Sequence, residues 1–172
     1  QAVVLNDNAS RLVFSGANTV DNVTVNAVPD VGAGLVVQGA APGSTVNTLT
    51  LNTASRVTVE TGAKLKVANA LTVPEDGMTL GGAGTLQAHN TLRLNGPLAV
   101  TDSTVVLEGV AVELGADLTV GGSGSLKTDS ATEVTLLDNA TLSVPESVVL
   151  KSLAVDSHTL TLDNVTGLTV QE

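Results

Sequence analysis

The stretch Gly81-Gly82-Ala83-Gly84-Thr85-Leu86 (GGAGTL) returns forty residues later as Gly121-Gly122-Ser123-Gly124-Ser125-Leu126 (GGSGSL). The echo marks a repeat, and its spacing decides the fold. Cut into twenties, the middle of the chain aligns with itself: residues 41–60 read APGSTVNTLTLNTASRVTVE, 61–80 TGAKLKVANALTVPEDGMTL, 81–100 GGAGTLQAHNTLRLNGPLAV and 101–120 TDSTVVLEGVAVELGADLTV. Each row opens on turn residues and carries three short stretches of alternating apolar and polar residues. The echo is therefore two periods of about twenty residues.

Those stretches fall into three columns. The first holds Lys64 to Val67, Gly84 to Gln87, Thr104 to Leu107 and Gly124 to Lys127; the second Ala70 to Val73, Thr91 to Leu94, Val110 to Leu114 and Glu133 to Leu137; the third Met78 to Leu80, Pro97 to Val100, Asp117 to Val120 and Ala140 to Val144. Three strands per period separated by turns describe one coil of a parallel β-helix, or β-solenoid, in which each strand lies beside its equivalent in the next coil. Alternation then aims Leu92 and Leu94, and Val110, Val112 and Leu114, at the interior. Arg93 and Glu113 become outward neighbours, an exposed pair of little energetic weight. A slip of one residue would turn a strand's whole apolar set to solvent, so register is strongly specified.

The period loosens towards the ends. Residues 1–40 keep the strand pattern at Val3 to Leu5, Leu12 to Phe14, Val23 to Val25 and Leu35 to Val37, and the coil from Gly121 carries four extra residues, read as an insertion around TDSATE. Insertions in solenoids map to turns. The expected protrusions are Lys127 to Thr132, with Lys127, Asp129 and Thr132 as contact residues, and Asp156 to His158, with Asp156 and His158. The chain reads as one all-β domain over residues 1–172, about eight coils and roughly 40 Å long, with Phe14 as a modest N-terminal plug. Gln1 is preceded by no Met or apolar leader, and the C-terminal TGLTVQE runs straight out of a strand. Both features read as a segment of a longer repetitive protein.

Composition agrees with a narrow, layered core. Of 172 residues only Phe14 is aromatic, and Val, Leu and Ala provide nearly all the apolar surface. The formal charge of −10, with seven scattered Lys and Arg residues, argues against nucleic acid. No cysteine exists, which excludes a disulfide scaffold and thiolate metal sites.

Calcium-binding GGxGx repeats place an Asp where Leu86 and Leu126 stand here, and Leu cannot ligate a cation. The acidic turns Asn6-Asp7-Asn8, Pro74-Glu75-Asp76 and Leu137-Asp138-Asn139 are explained by Asx turns without a metal. Glycan-processing enzymes need paired carboxylates or a carboxylate–calcium site on one face, and no such set assembles. His89 and His158 read as solvent-facing turn residues in separate coils. Thr48-Leu49-Thr50 and Thr159-Leu160-Thr161 have the local form of a water-ordering ladder, but Ala68 and Ala70 stand twenty residues after the first. Asn52, Asn69, Asn90 and Asn95 read as corner residues that stack along the coil or take the left-handed conformation. The reading assigns no catalytic residue, no cofactor-binding residue and no metal ligand.

GGAGTLQAHNTLRLNGPLAV and GADLTVGGSGSLKT resemble the repeats of filamentous-haemagglutinin-type and autotransporter passenger domains, over about residues 41–144. The resemblance implies a right-handed β-helix at a Gram-negative cell surface, secreted or associated with the outer membrane. It implies a noncatalytic adhesin segment acting as a rigid stalk or binding scaffold, with a glycan or protein on a host or neighbouring cell as partner and no membrane insertion. The alternative is a structural solenoid that stacks end to end into filaments or a surface layer. A polysaccharide-active β-helix enzyme stands further off.

Overall fold

The computed structural model describes residues 2–28, 30, 34–39 and 43–171; the opening Ala41-Pro42 of the first aligned row and the final Glu172 lie outside them. The described chain is all β, wound into about eight turns of roughly 21 residues. Every strand pair is parallel and in register. No helix among the described residues is long and apolar enough to cross a membrane.

The third column is the simplest. It runs unbroken through β2 (Arg11–Ser15), β4 (Gly34–Gln38), β6 (Ser55–Val59), β9 (Met78–Gly81), β12 (Leu98–Thr101), β15 (Leu118–Gly121), β18 (Ala140–Ser143) and β21 (Leu160–Asp163). The first column contains β7 (Lys64–Val67), β10 (Thr85–Ala88), β13 (Thr104–Val106) and β16 (Ser125–Lys127), followed by β19 (Ser147–Leu150) and β22 (Gly167–Val170), which form a two-stranded sheet of their own. The second contains β1 (Ala2–Leu5), β8 (Leu71–Val73), β11 (Thr91–Leu94), β14 (Ala111–Leu114), β17 (Glu133–Leu136) and β20 (Ser152–Ala154).

Two strands, β3 (Thr19–Val25) and β5 (Ser44–Leu51), differ from the three-strand expectation. Each runs through the corner between the first and second columns. The first half of β5 pairs with β7 and its second half with β8, which joins both columns into one sheet. The cause is local. Only Asn47 and Thr48 separate Val46 from Leu49, where Ala68, Asn69 and Ala70 separate their partners Val67 and Leu71, so the shorter corner is turned within one strand. The same corner breaks at Asn90, whose φ of 62° lies in the left-handed region.

The interior is one aliphatic core from Leu5 to Leu150. Leu65, Leu71, Leu80 and Leu94 are completely buried, and successive inward residues stack one per coil. Phe14 is 4% exposed and joins this core from β2. Burying such side chains contributes about 1.5–3 kcal/mol each before the cost of ordering the chain. The repeated glycine phrase has a packing cause. A Cβ at Gly84 would sit 2.4 Å from the Glu60 carbonyl oxygen, so the coil below leaves no room for a side chain. The intervening Ala83 is held at φ 58°, a strained value for alanine.

Register also corrects a fixed count of twenty. Thr50 pairs with Thr72, twenty-two positions on, and Thr24 pairs with Thr50. The threonine ladder therefore spans three coils before Arg93 and Glu113 replace it, where a strict twenty placed alanines. The extra residues after Gly121 are real, since Leu118 pairs with Leu142, twenty-four positions on, against twenty for Leu98 with Leu118. They are shared among three corners of that coil, so TDSATE is not a single inserted loop.

Candidate functional site

The two expected protrusions lie on different edges of the solenoid. Lys127 to Thr132 turns the corner between the first and second columns, and Asp156 to His158 turns the corner between the second and third. The fold does not bring them together. Lys127 is exposed at the end of β16, and Asp156 is exposed at φ 46°. His158 is half-buried, with its N–H donating to the Val155 carbonyl at 2.8 Å.

Thr132 does not protrude. It is fully buried, its hydroxyl donating to the Leu107 carbonyl of the preceding coil at 2.7 Å and lying 2.9 Å from the Asp129 carboxylate. Its polarity misled the sequence reading. A buried hydroxyl is tolerated here because it donates its one proton and accepts the Asp129 N–H at 3.1 Å. Asp129 is half-buried and accepts backbone N–H groups from Gly109 of the preceding coil (2.9 Å) and from Ala131 (3.0 Å). The Gly109 N–H is the main reason its carboxyl titrates below the ordinary value. This turn is a staple between coils.

Similar staples recur at other corners, and the sequence reading missed them. Asp102 accepts from Ser123 N–H at 2.7 Å, Asp117 from Thr141 N–H at 2.7 Å and Asn139 from Thr159 N–H at 2.7 Å. The Asx turn expected at Asp7 is present, through Ala9 N–H at 2.8 Å. At Asp138-Asn139, by contrast, one side chain serves its own turn and the other serves the next coil. The available signal was a corner Asp or Asn followed 20–24 residues later by another corner.

Of the four asparagines expected to stack or to turn a corner, Asn52 stacks and Asn90 takes the left-handed conformation, while the stack itself continues through Asn26 and Asn6, which were not expected. Asn26 donates to Asn6 and Asn52 to Asn26, both at 2.7 Å, a ladder of three coils. Asn69 instead donates to Thr48 (3.3 Å), Asn90 to the Ala68 carbonyl (3.3 Å), and Asn95 accepts from Arg93 (3.0 Å).

His89, like His158, is half-buried, which corrects the reading of both as solvent-facing. Its Nε2 is buried without a hydrogen-bond partner among the described residues. Burial, followed by Lys66 and Lys64, holds its pKa below the ordinary imidazole value. His89 and His158 occupy different edges.

Leu86 and Leu126 point into the core, at 1% and 4% exposure. No three His, Asp or Glu side chains among the described residues converge on a metal-sized space. Exposed ion pairs join neighbouring coils, Arg93 to Glu113 at 3.2 Å and Lys151 to Glu133 at 2.5 Å. At this exposure each is worth little. The described surface thus offers exposed corners stapled to the coil below. No family model, curated protein or solved structure matches the chain.

Proposed function

We propose that the chain is a noncatalytic segment of a secreted or surface-exposed bacterial adhesin, acting as a stiff rod that holds its corners or a distal tip away from the cell. The observation that carries this reading is the single core, aliphatic but for Phe14, that runs without a break from Leu5 to Leu150 among the described residues. Such a core gives a rod of about 40 Å whose length grows by about 4.8 Å per coil. Side-chain staples on neighbouring-coil amides hold the corners at fixed positions, so a contact residue there is presented with little loss of entropy on binding. Lys127, Asp156 and His158 are the proposed contact residues. The resemblance of residues 41–144 to passenger-domain repeats supports the cell-surface location.

Two measurements test this. Small-angle scattering of the monomer should give an elongated particle. Beads coated with the chain should adhere to epithelial or bacterial cells more than albumin-coated beads do, and K127A/D156A/H158A should reduce that adhesion. A compact particle removes the rod. Adhesion equal to albumin removes the adhesin.

A further inference from the structure

The first column is interrupted at one place. Its ladder is continuous from β5 through β16, and β19 pairs only with β22. No backbone ladder among the described residues joins β16 to β19. Side chains bridge the gap instead. The Glu146 carboxylate accepts the Leu126 N–H, and the Thr128 hydroxyl accepts the Val149 N–H at 3.1 Å. The second and third columns stay intact beside the gap, through β17 with β20 and β18 with β21.

Behind the interruption lies a small apolar void of about 20 Å³, lined among others by Leu107, Leu126, Thr132, Val148 and Leu150. The Thr128 and Thr132 hydroxyls beside it are committed to Val149 and Leu107. The surface that faces the void is wholly apolar, so the void is dry. Its lining lacks contact partners on one side and forfeits dispersion energy.

From these observations we infer that the gap between β16 and β19 is a latch, at which the wall of the solenoid opens locally while the second and third columns act as the hinge. The inference goes beyond the rod reading and does not depend on it. Two side-chain bonds, with the Lys151 N–H on the Thr132 carbonyl just past β19 (2.8 Å), close the latch where three paired residues close the equivalent joint between β13 and β16. Opening there needs no unwinding of the coils before Leu126, so it belongs to the low-energy end of the protein's local motions.

Native-state hydrogen exchange on the whole chain tests the latch. The amides of Leu126 and Val149, which face the gap, should exchange on the order of tenfold faster than those of β18 in the same coils, about what the loss of one net hydrogen bond implies. The double variant E146A/T128V, which removes both acceptors, should raise those rates by a further factor of about ten while leaving β7 to β15 unchanged. Fraying from the end of the chain would not respond to Glu146. Equal protection in the first and third columns would overturn the inference, as would a double variant that leaves the latch amides unchanged or shifts every amide alike. Should the double variant not fold, the comparison of columns in the unaltered chain decides alone.

Discussion

Between Lys64 and Gly121 the coil returns to register every 19 to 21 residues, with Leu65 beside Leu86 and Leu86 beside Val105. From Leu126 onward the steps are uneven: Val112 pairs with Val134 and Leu118 with Leu142. The strands themselves hardly change in length; the corners do. In the regular region, backbone ladders close every column and glycines allow coils to approach closely. In the later region longer corners lift the first column apart, and Asp129, Thr132, Thr128 and Glu146 take over as partners. A solenoid therefore tolerates growth at a corner by exchanging backbone pairing for side-chain pairing, at the cost of a less complete core.

The largest expected contrast is in the core. Leu94→Ala should cost about 3 kcal/mol, because the site is fully buried and its neighbours cannot collapse into the space. Leu168→Ala, at a partly buried position of the last first-column strand, should cost less than about 1 kcal/mol. Urea denaturation of the two variants checks this, and equal losses would mean the regions are packed alike. Glycine substitutions should sharpen the contrast. An added methyl at Gly96 would meet the Pro74 carbonyl oxygen at 2.2 Å, so Gly96→Ala should cost about 2 kcal/mol. At Gly167 the nearest atom is the Ser147 Oγ at 3.4 Å, and the same change should stay within about 0.5 kcal/mol.

Thr132→Val tests the staples of the later region. It keeps the shape but removes the hydroxyl from the Leu107 carbonyl, which retains the Val110 N–H at 3.2 Å, and takes the acceptor from the Asp129 N–H, so a loss of about 1–2 kcal/mol should appear in the urea midpoint.

Two pH effects follow, both smaller. Asp129 titrates below its ordinary 3.8 in the folded chain, so its contribution is present above that value and disappears as pH falls through the lower folded value. Stability should decline in that acid window, and Asp129→Asn should flatten the decline. His89 also titrates below its ordinary 6.5, because the folded chain favours the neutral ring. The unfolded chain then takes up the proton first, and stability falls as pH drops from about 6.5 towards the folded value. His89→Gln should remove that slope, and an unchanged slope would assign it to other groups.

Much of this architecture was legible in the residues. Alternation at Leu92-Arg93-Leu94 and Val112-Glu113-Leu114 has only one reading once it recurs at a constant step, and Arg93 and Glu113 stand where that reading puts them. What escaped depends on corners. A count of twenty placed Ala70 where the register puts Thr72, because the step from β5 to β8 is two residues longer than the count. Thr132 looked exposed because it is polar, and the acceptor that buries it belongs to another coil. His89 looked exposed for the same reason.

Central to the account is the parallel winding, and one row of outward side chains reports it directly. Val4, Thr24, Thr50, Thr72, Arg93, Glu113, Thr135 and Ala154 stand side by side in successive coils of the second column. Spin labels placed in pairs along this row should give electron–electron distances that rise linearly by about 4.8 Å per coil, reaching about 19 Å from Thr50 to Thr135. Distances that fail to grow with coil number, or that group the labels as antiparallel hairpins would, contradict the winding on which every other statement rests.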